Sequence, residues 1–134
     1  MATARDRPYE IMKTLHTSNA PQAIGSYSQG IVANGFIFCS GQIGLDPQGN
    51  LVEGLEKQTH QALKNIEAIL QKADRDLDHV VKTTIFITDI NNFTTVNNIY
   101  GKYFSRHKPA RSTVEVSSLP KNALIEIEAI ALIQ

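Results

Sequence analysis

The sequence predicts a single α+β domain, and three observations carry that prediction. Leu55 to Ala73 repeats its apolar residues at helical steps, and Leu124 to Ile133 places only apolar residues at its odd positions. Around them lie strand-like runs punctuated by turn formers such as Asn34-Gly35. At 134 residues the chain is long enough for one core and too short for two. Residues 1–12 read as a flexible, polar N-terminal leader and 13–134 as the folded domain.

The elements follow in order. A short strand is expected over Met12 to Thr17, closed by Ser18-Asn19-Ala20-Pro21. Ser28 to Ala33 and Phe36 to Ser40 should form a hairpin, because Asn-Gly tolerates the positive φ angles of a two-residue type I′ turn. Asp46-Pro47-Gln48-Gly49 makes the next turn, with proline presetting φ. In the first helix, Leu55, Thr59, Ala62, Leu63, Ile66, Ile69, Leu70 and Ala73 form one stripe, with Glu53 and Glu56 at the start and Lys72 at the end, as the helix dipole favours. A strand over Val80 to Thr88 should bury Val81, Thr83, Ile85 and Ile87. A second helix, capped by Asn91 or Asn92, carries Phe93, Val96, Tyr100, Tyr103 and Phe104 and stops at Pro109. Strands over Ser112 to Ser117 and Leu124 to Ile133 flank the turn at Leu119-Pro120-Lys121-Asn122.

Two helices can cover only one face of such a sheet. The even positions of the last strand (Leu124, Glu126, Glu128, Ile130, Leu132) put apolar residues on the other face too. An apolar patch rimmed by polar groups marks a partner surface, so a homo-oligomer is expected; the alternative is a solvated face whose apolar residues are merely tolerated.

Composition removes several function classes. The 13 basic and 13 acidic residues cancel, which leaves no long-range attraction for nucleic acid or an anionic membrane. The single cysteine, Cys39, allows no intrachain disulfide and sits in an apolar run as an inert thiol. The four histidines are scattered, without metal-ligand spacing. The N-terminus has no signal-peptide core and the most apolar stretch is too short to span a bilayer, so a cytoplasmic address is expected.

Few side chains could carry chemistry. Arg111 follows the helix-stopping Pro109-Ala110 and opens a strand, where its planar fork could grip a carboxylate bidentately; the alternative is a solvated edge residue. Glu126 and Glu128 share a strand face. Among Leu124, Ile130 and Leu132 a carboxyl should hold its proton more tightly, which suits proton transfer; alternatively both acids pair with cations across strands or subunits. The run Gly25-Ser26-Tyr27-Ser28-Gln29-Gly30 lacks the ending of a phosphate loop and opens no helix.

Taken in order, Asn19-Ala20-Pro21, Ile24 to Gly30, Phe38-Cys39-Ser40-Gly41-Gln42, Val81-Lys82-Thr83-Thr84, Phe93 to Asn97, Pro109-Ala110-Arg111-Ser112, Leu119-Pro120-Lys121 and Ile125 to Ala131 resemble the Rid (YjgF/YER057c/UK114) family of reactive-intermediate imine deaminases. The resemblance covers roughly residues 13 to 133. It implies a chorismate-mutase-like (YjgF-like) α+β fold, a mixed six-stranded sheet with two helices packed on one face, assembled as a homotrimer with active sites between subunits. It implies hydrolysis of 2-iminopropanoate and 2-iminobutanoate to 2-oxo acids and ammonia without a cofactor or metal. By the same resemblance, Arg111 binds the substrate carboxylate, Tyr27, Ser40, Gly41 and Asn97 line the pocket, and the Thr113 carbonyl and Glu126 orient the attacking water. Lys108 stands where many relatives carry an aromatic residue, and Thr113 where some carry cysteine. A metabolite-binding or chaperone-like homotrimer is the alternative. An RNA-directed role as translation inhibitor or endoribonuclease is disfavoured by the zero net charge.

Overall fold

A computed structural model describes residues 7–134. The first six residues of the expected leader lie outside the described residues, and Pro8–Ile11 forms a 3-10 turn. Six strands follow: β1 (Lys13–Leu15), β2 (Gly30–Ala33), β3 (Phe36–Ile43), β4 (Val80–Ile87), β5 (Ala110–Glu115) and β6 (Ile125–Leu132). They form one open sheet in the order β1-β2-β3-β6-β4-β5. Two helices, α1 (Leu55–Gln71) and α2 (Phe93–Tyr103), pack on one face. Neighbouring strands are antiparallel except β4 and β5, which α2 connects as a crossover; a tight hairpin can join only antiparallel strands.

Each element follows from its residues. Asn34 (φ 50°) and Gly35 (φ 86°) make the hairpin turn between β2 and β3. Ile125, Ile127 and Ala131 of β6 are fully buried and Ala129 nearly so, beneath Leu63, Ile66 and Leu70 of α1 and Val96 of α2. Each large aliphatic side chain so removed from water stabilises the fold by about 1.5–3 kcal/mol. The opposite face keeps Phe36, Phe38, Val114, Leu124 and Leu132 exposed, as the two-faced reading of β6 anticipated.

Two local expectations are corrected. The pairing of β4 with β6 shifts between Val80 and Lys82, so Val80 is the buried residue and Val81 is half-buried. Asn92 precedes α2 but makes no capping bond. A 3-10 turn, Ile90–Asn92, leads into the helix, and Asp89 caps that turn by accepting from the Asn91 N–H at 3.0 Å. The short side chain needed to orient the chain was three residues upstream.

Buried amides hold the loops to this frame. Gln29 accepts from the Thr17 N–H at 2.7 Å and donates to the carbonyls of Thr17 at 3.1 Å and Pro21 at 2.7 Å. Asn65 of α1 donates to the Leu45 carbonyl at 2.8 Å. Gln58 bridges two segments, donating to the Val52 carbonyl at 3.1 Å and accepting from the Leu124 N–H at 2.8 Å. A buried amide is tolerable only when so satisfied, and each one fixes irregular backbone that no ladder holds.

Candidate functional site

The site residues fall into two groups. The first surrounds Glu126. Strand β3 pairs Cys39 with Ala129 and then Gln42 with Ile127, so three steps on β3 oppose two on β6 and Ser40-Gly41 form a bulge. The Glu126 carboxyl lies over this bulge: a Cβ on Gly41 would stand 2.7 Å from its Oε1. Tyr27, Gly41, Pro120, Lys121 and Glu126 line a cleft of about 400 Å³ there. Burial, and then the charge of Glu128, raise the pKa of the Glu126 carboxyl above its ordinary value, so it binds a proton more tightly than a free carboxylate.

The loops around that cleft are tied down. The Ser40 hydroxyl donates to the Ser28 carbonyl at 2.5 Å and its N–H donates to Gln29 O at 2.9 Å, so Ser40 anchors the loop that carries Tyr27. Tyr27 is 54% exposed, and its hydroxyl accepts from the Ile24 N–H at 3.3 Å. Lys121 and Asn122 both hold left-handed backbone (φ 58°), a conformation that costs a non-glycine residue about 1–2 kcal/mol and aims Lys121 into the cleft wall.

The second group surrounds Arg111 on β5. Its Nη1 donates to Asn97 Oδ1 at 2.9 Å, and its guanidinium carbon lies 5.0 Å from the Phe93 ring centre and 4.8 Å from that of Tyr100. Phe93, Asn97 and Tyr100 are spaced four and three residues apart, so they form one stripe of α2 facing the guanidinium. Among the described residues no carboxylate pairs with Arg111, and the rest of its fork is open. Asn97, Tyr100, Phe104, Lys108 and Arg111 line a second concavity, with no acidic side chain in it.

Strand β5 is one of the sheet's two edge strands. The Val116 N–H donates to the Ile87 carbonyl, which fixes the alternation: even-numbered residues here bond inward to β4, while Arg111 and Thr113 direct their backbone groups outward. The Thr113 carbonyl therefore faces the open edge beside Arg111.

One chain does not bring the two groups together. Arg111 is in register with Thr83 and Ala129, on the helix-covered face. Glu126 is in register with Phe86 and, through it, Val114, on the bare face. The two residues stand on opposite faces, two strands and three residues apart, roughly 14 Å between Cα atoms.

Other candidates are quiet. Burial pushes the Cys39 thiol up to about 12, so it stays protonated and unreactive. Sequence reasoning missed the anchoring amide Gln29, the left-handed Lys121 and the aromatic pair flanking Arg111. Only the last left a signal, in the helical spacing of Phe93, Asn97 and Tyr100.

Fold and geometry define a small open-sheet α+β protein with an acidic cleft on one face and a cationic concavity at its edge. The chain belongs to the family described as Endoribonuclease L-PSP, which it matches over residues 17–133. It is 51% identical over 124 residues to the 2-iminobutanoate/2-iminopropanoate deaminase of Rattus norvegicus, covering 91% of this chain and 90% of that protein. It is 50% identical over 121 residues to the RutC family protein PH0854 of Pyrococcus horikoshii, covering 89% of this chain and 96% of the relative. Among solved structures, YyfA of Yersinia pestis, a Rid-family protein, superposes with a TM-score of 0.88 at 57% identity, over 90% of this chain and 98% of that one.

Proposed function

We propose that this protein hydrolyses reactive 2-imino acids, 2-iminopropanoate and 2-iminobutanoate among them, to 2-oxo acids and ammonia. The observation that carries the reading is Arg111, a guanidinium fork with no carboxylate partner among the described residues, held by Asn97, Phe93 and Tyr100 at a free sheet edge. Similarity to the rat deaminase supports it.

The two half-sites complete each other only across chains. Opposite placement of Arg111 and Glu126 and the apolar bare face are the grounds for a homo-oligomer, a homotrimer by family resemblance, with a cleft at each subunit boundary. In such a cleft Arg111 holds the substrate carboxylate while Asn97 keeps the fork turned, and Tyr27 and Gly41 bound the space. The Thr113 carbonyl accepts a hydrogen bond from water, and Glu126 takes its proton as the oxygen attacks the imine carbon. The carbinolamine nitrogen then collects that proton from Glu126, the C–N bond breaks to release ammonia, and the hydroxyl proton passes back to the Glu126 carboxylate as the C=O bond forms. A protonated imine is already electrophilic, so positioning and proton relay are the tasks left to the protein.

The ribonuclease in the family's description has less support. Among the described residues neither cleft carries a histidine. His16, His60, His79 and His107 bond instead to Gln22, Tyr103, Asp76 and the Val80 carbonyl.

The test is 2-oxo acid release in a coupled assay in which an amino acid oxidase or threonine dehydratase generates the imine. Acceleration by wild type and none by Arg111→Ala is the expected result. Wild type that does no better than spontaneous hydrolysis would refute the deaminase reading.

A further inference from the structure

The guanidinium of Arg111 is too exposed to be held by burial, yet three side chains of α2 fix it. Of these, Tyr100 is itself held. Its hydroxyl lies 2.7 Å from the Thr83 hydroxyl in a buried hydrogen bond, and its ring packs on Phe104 with centroids 4.6 Å apart. Thr83 is 1% exposed on β4, and is also the residue that pairs with Arg111 along the sheet. The arrangement closes a loop: Thr83 stands in register beside Arg111, the Thr83 hydroxyl meets the Tyr100 hydroxyl, and the Tyr100 ring comes back to the Arg111 guanidinium.

We infer that Tyr100, locked by Thr83, is a positioning residue that sets the orientation of the Arg111 fork towards a bound carboxylate. Three physical facts support this. A ring within about 6 Å of a guanidinium attracts it and favours parallel stacking, which restricts the long side chain. The Asn97 bond alone leaves the guanidinium free to pivot about Nη1, and the two ring faces at 4.8 and 5.0 Å remove that freedom. The Thr83 bond removes the remaining freedom of the tyrosine, because a buried hydroxyl has no water to turn to. A phenol here is more useful than a phenylalanine, since only a phenol can be pinned at its far end.

This inference rests on the assignment of Arg111 as the carboxylate clamp, but its test does not depend on turnover. The affinity for the stable carboxylate 2-oxobutanoate is to be measured by calorimetry on wild type, Tyr100→Leu, Tyr100→Phe, Thr83→Val and the double variant Tyr100→Phe/Thr83→Val. Tyr100→Leu should weaken binding about tenfold, the scale of a partly desolvated cation–π contact. Tyr100→Phe keeps the ring and should recover most of that loss. Thr83→Val should match Tyr100→Phe, and the double variant should be no worse than either, because both substitutions cut the same bond.

In the coupled assay the ring substitution should raise KM more than it lowers kcat. Tyr100→Leu that binds 2-oxobutanoate like wild type would overturn the inference. So would a Tyr100→Phe variant as weak as Tyr100→Leu with a matching fall in melting temperature, which would mark a purely structural role. Wild type that binds 2-oxobutanoate, with the variants ordered as above, but releases no product would refute the deaminase reading and leave the positioning role standing.

Discussion

The carboxyl of Glu126 occupies the space that a side chain at Gly41 would need, 2.7 Å from Oε1 to the missing Cβ. The bulge in β3 and the acid of β6 are therefore one unit. A methyl group at Gly41 meets the acid first, since its three nearest neighbours are all atoms of the Glu126 side chain. Gly41→Ala should leave the melting temperature within a few degrees of wild type while lowering kcat at least tenfold; circular dichroism melting and the coupled assay measure the two.

The raised pKa of Glu126 has a defined sign in stability. Below the ordinary carboxylate range the acid is protonated in folded and unfolded chains alike and contributes nothing. As pH rises past that range the unfolded chain ionises first, so the folded state binds more protons and stability falls until the folded value is passed. Glu126→Gln should flatten that decline in urea melts between pH 4 and pH 8 and should abolish turnover. Glu128→Gln removes the second cause of the shift, and should move the acid limb of the rate profile to lower pH with the activity retained.

Charge alone does not account for Arg111. A lysine keeps the charge but loses the planar fork, the Asn97 geometry and the stacking between Phe93 and Tyr100. Arg111→Lys should lower kcat/KM by about 2 kcal/mol, nearly thirtyfold, with most of the loss in KM.

Gln29 is the strongest stability prediction. Replacing it with leucine leaves the Thr17 N–H and the carbonyls of Thr17 and Pro21 without their buried partner. Gln29→Leu should cost about 2–4 kcal/mol in denaturant unfolding, and should loosen the loop bearing Tyr27 enough to raise KM.

How much could be read beforehand depended on how local the cause was. The Asn34-Gly35 turn, the α1 stripe and the alternation of β6 are each set within a few residues, and each appears as expected. The bulge at Ser40-Gly41 is set by pairing with a strand more than eighty residues away, and nothing near Gly41 announces it. Nothing near Gln29, Gln58 and Asn65 in the sequence marks them as buried. Their burial is decided by loop carbonyls that only tertiary structure brings near. Arg111 was visible as a candidate after Pro109, but the rings that hold it belong to a helix, and the unpaired edge beside it to the strand order.

The opposite placement of Arg111 and Glu126 also bears on inheritance. The proposed cleft, drawing one residue from each of two neighbouring chains, would let two separately dead alleles repair each other. Chains lacking the arginine and chains lacking the acid, mixed at random, would rebuild about a quarter of their clefts with both groups intact. A cell carrying one lesion of each kind would keep part of its activity, whereas a cell carrying two copies of either lesion would keep none.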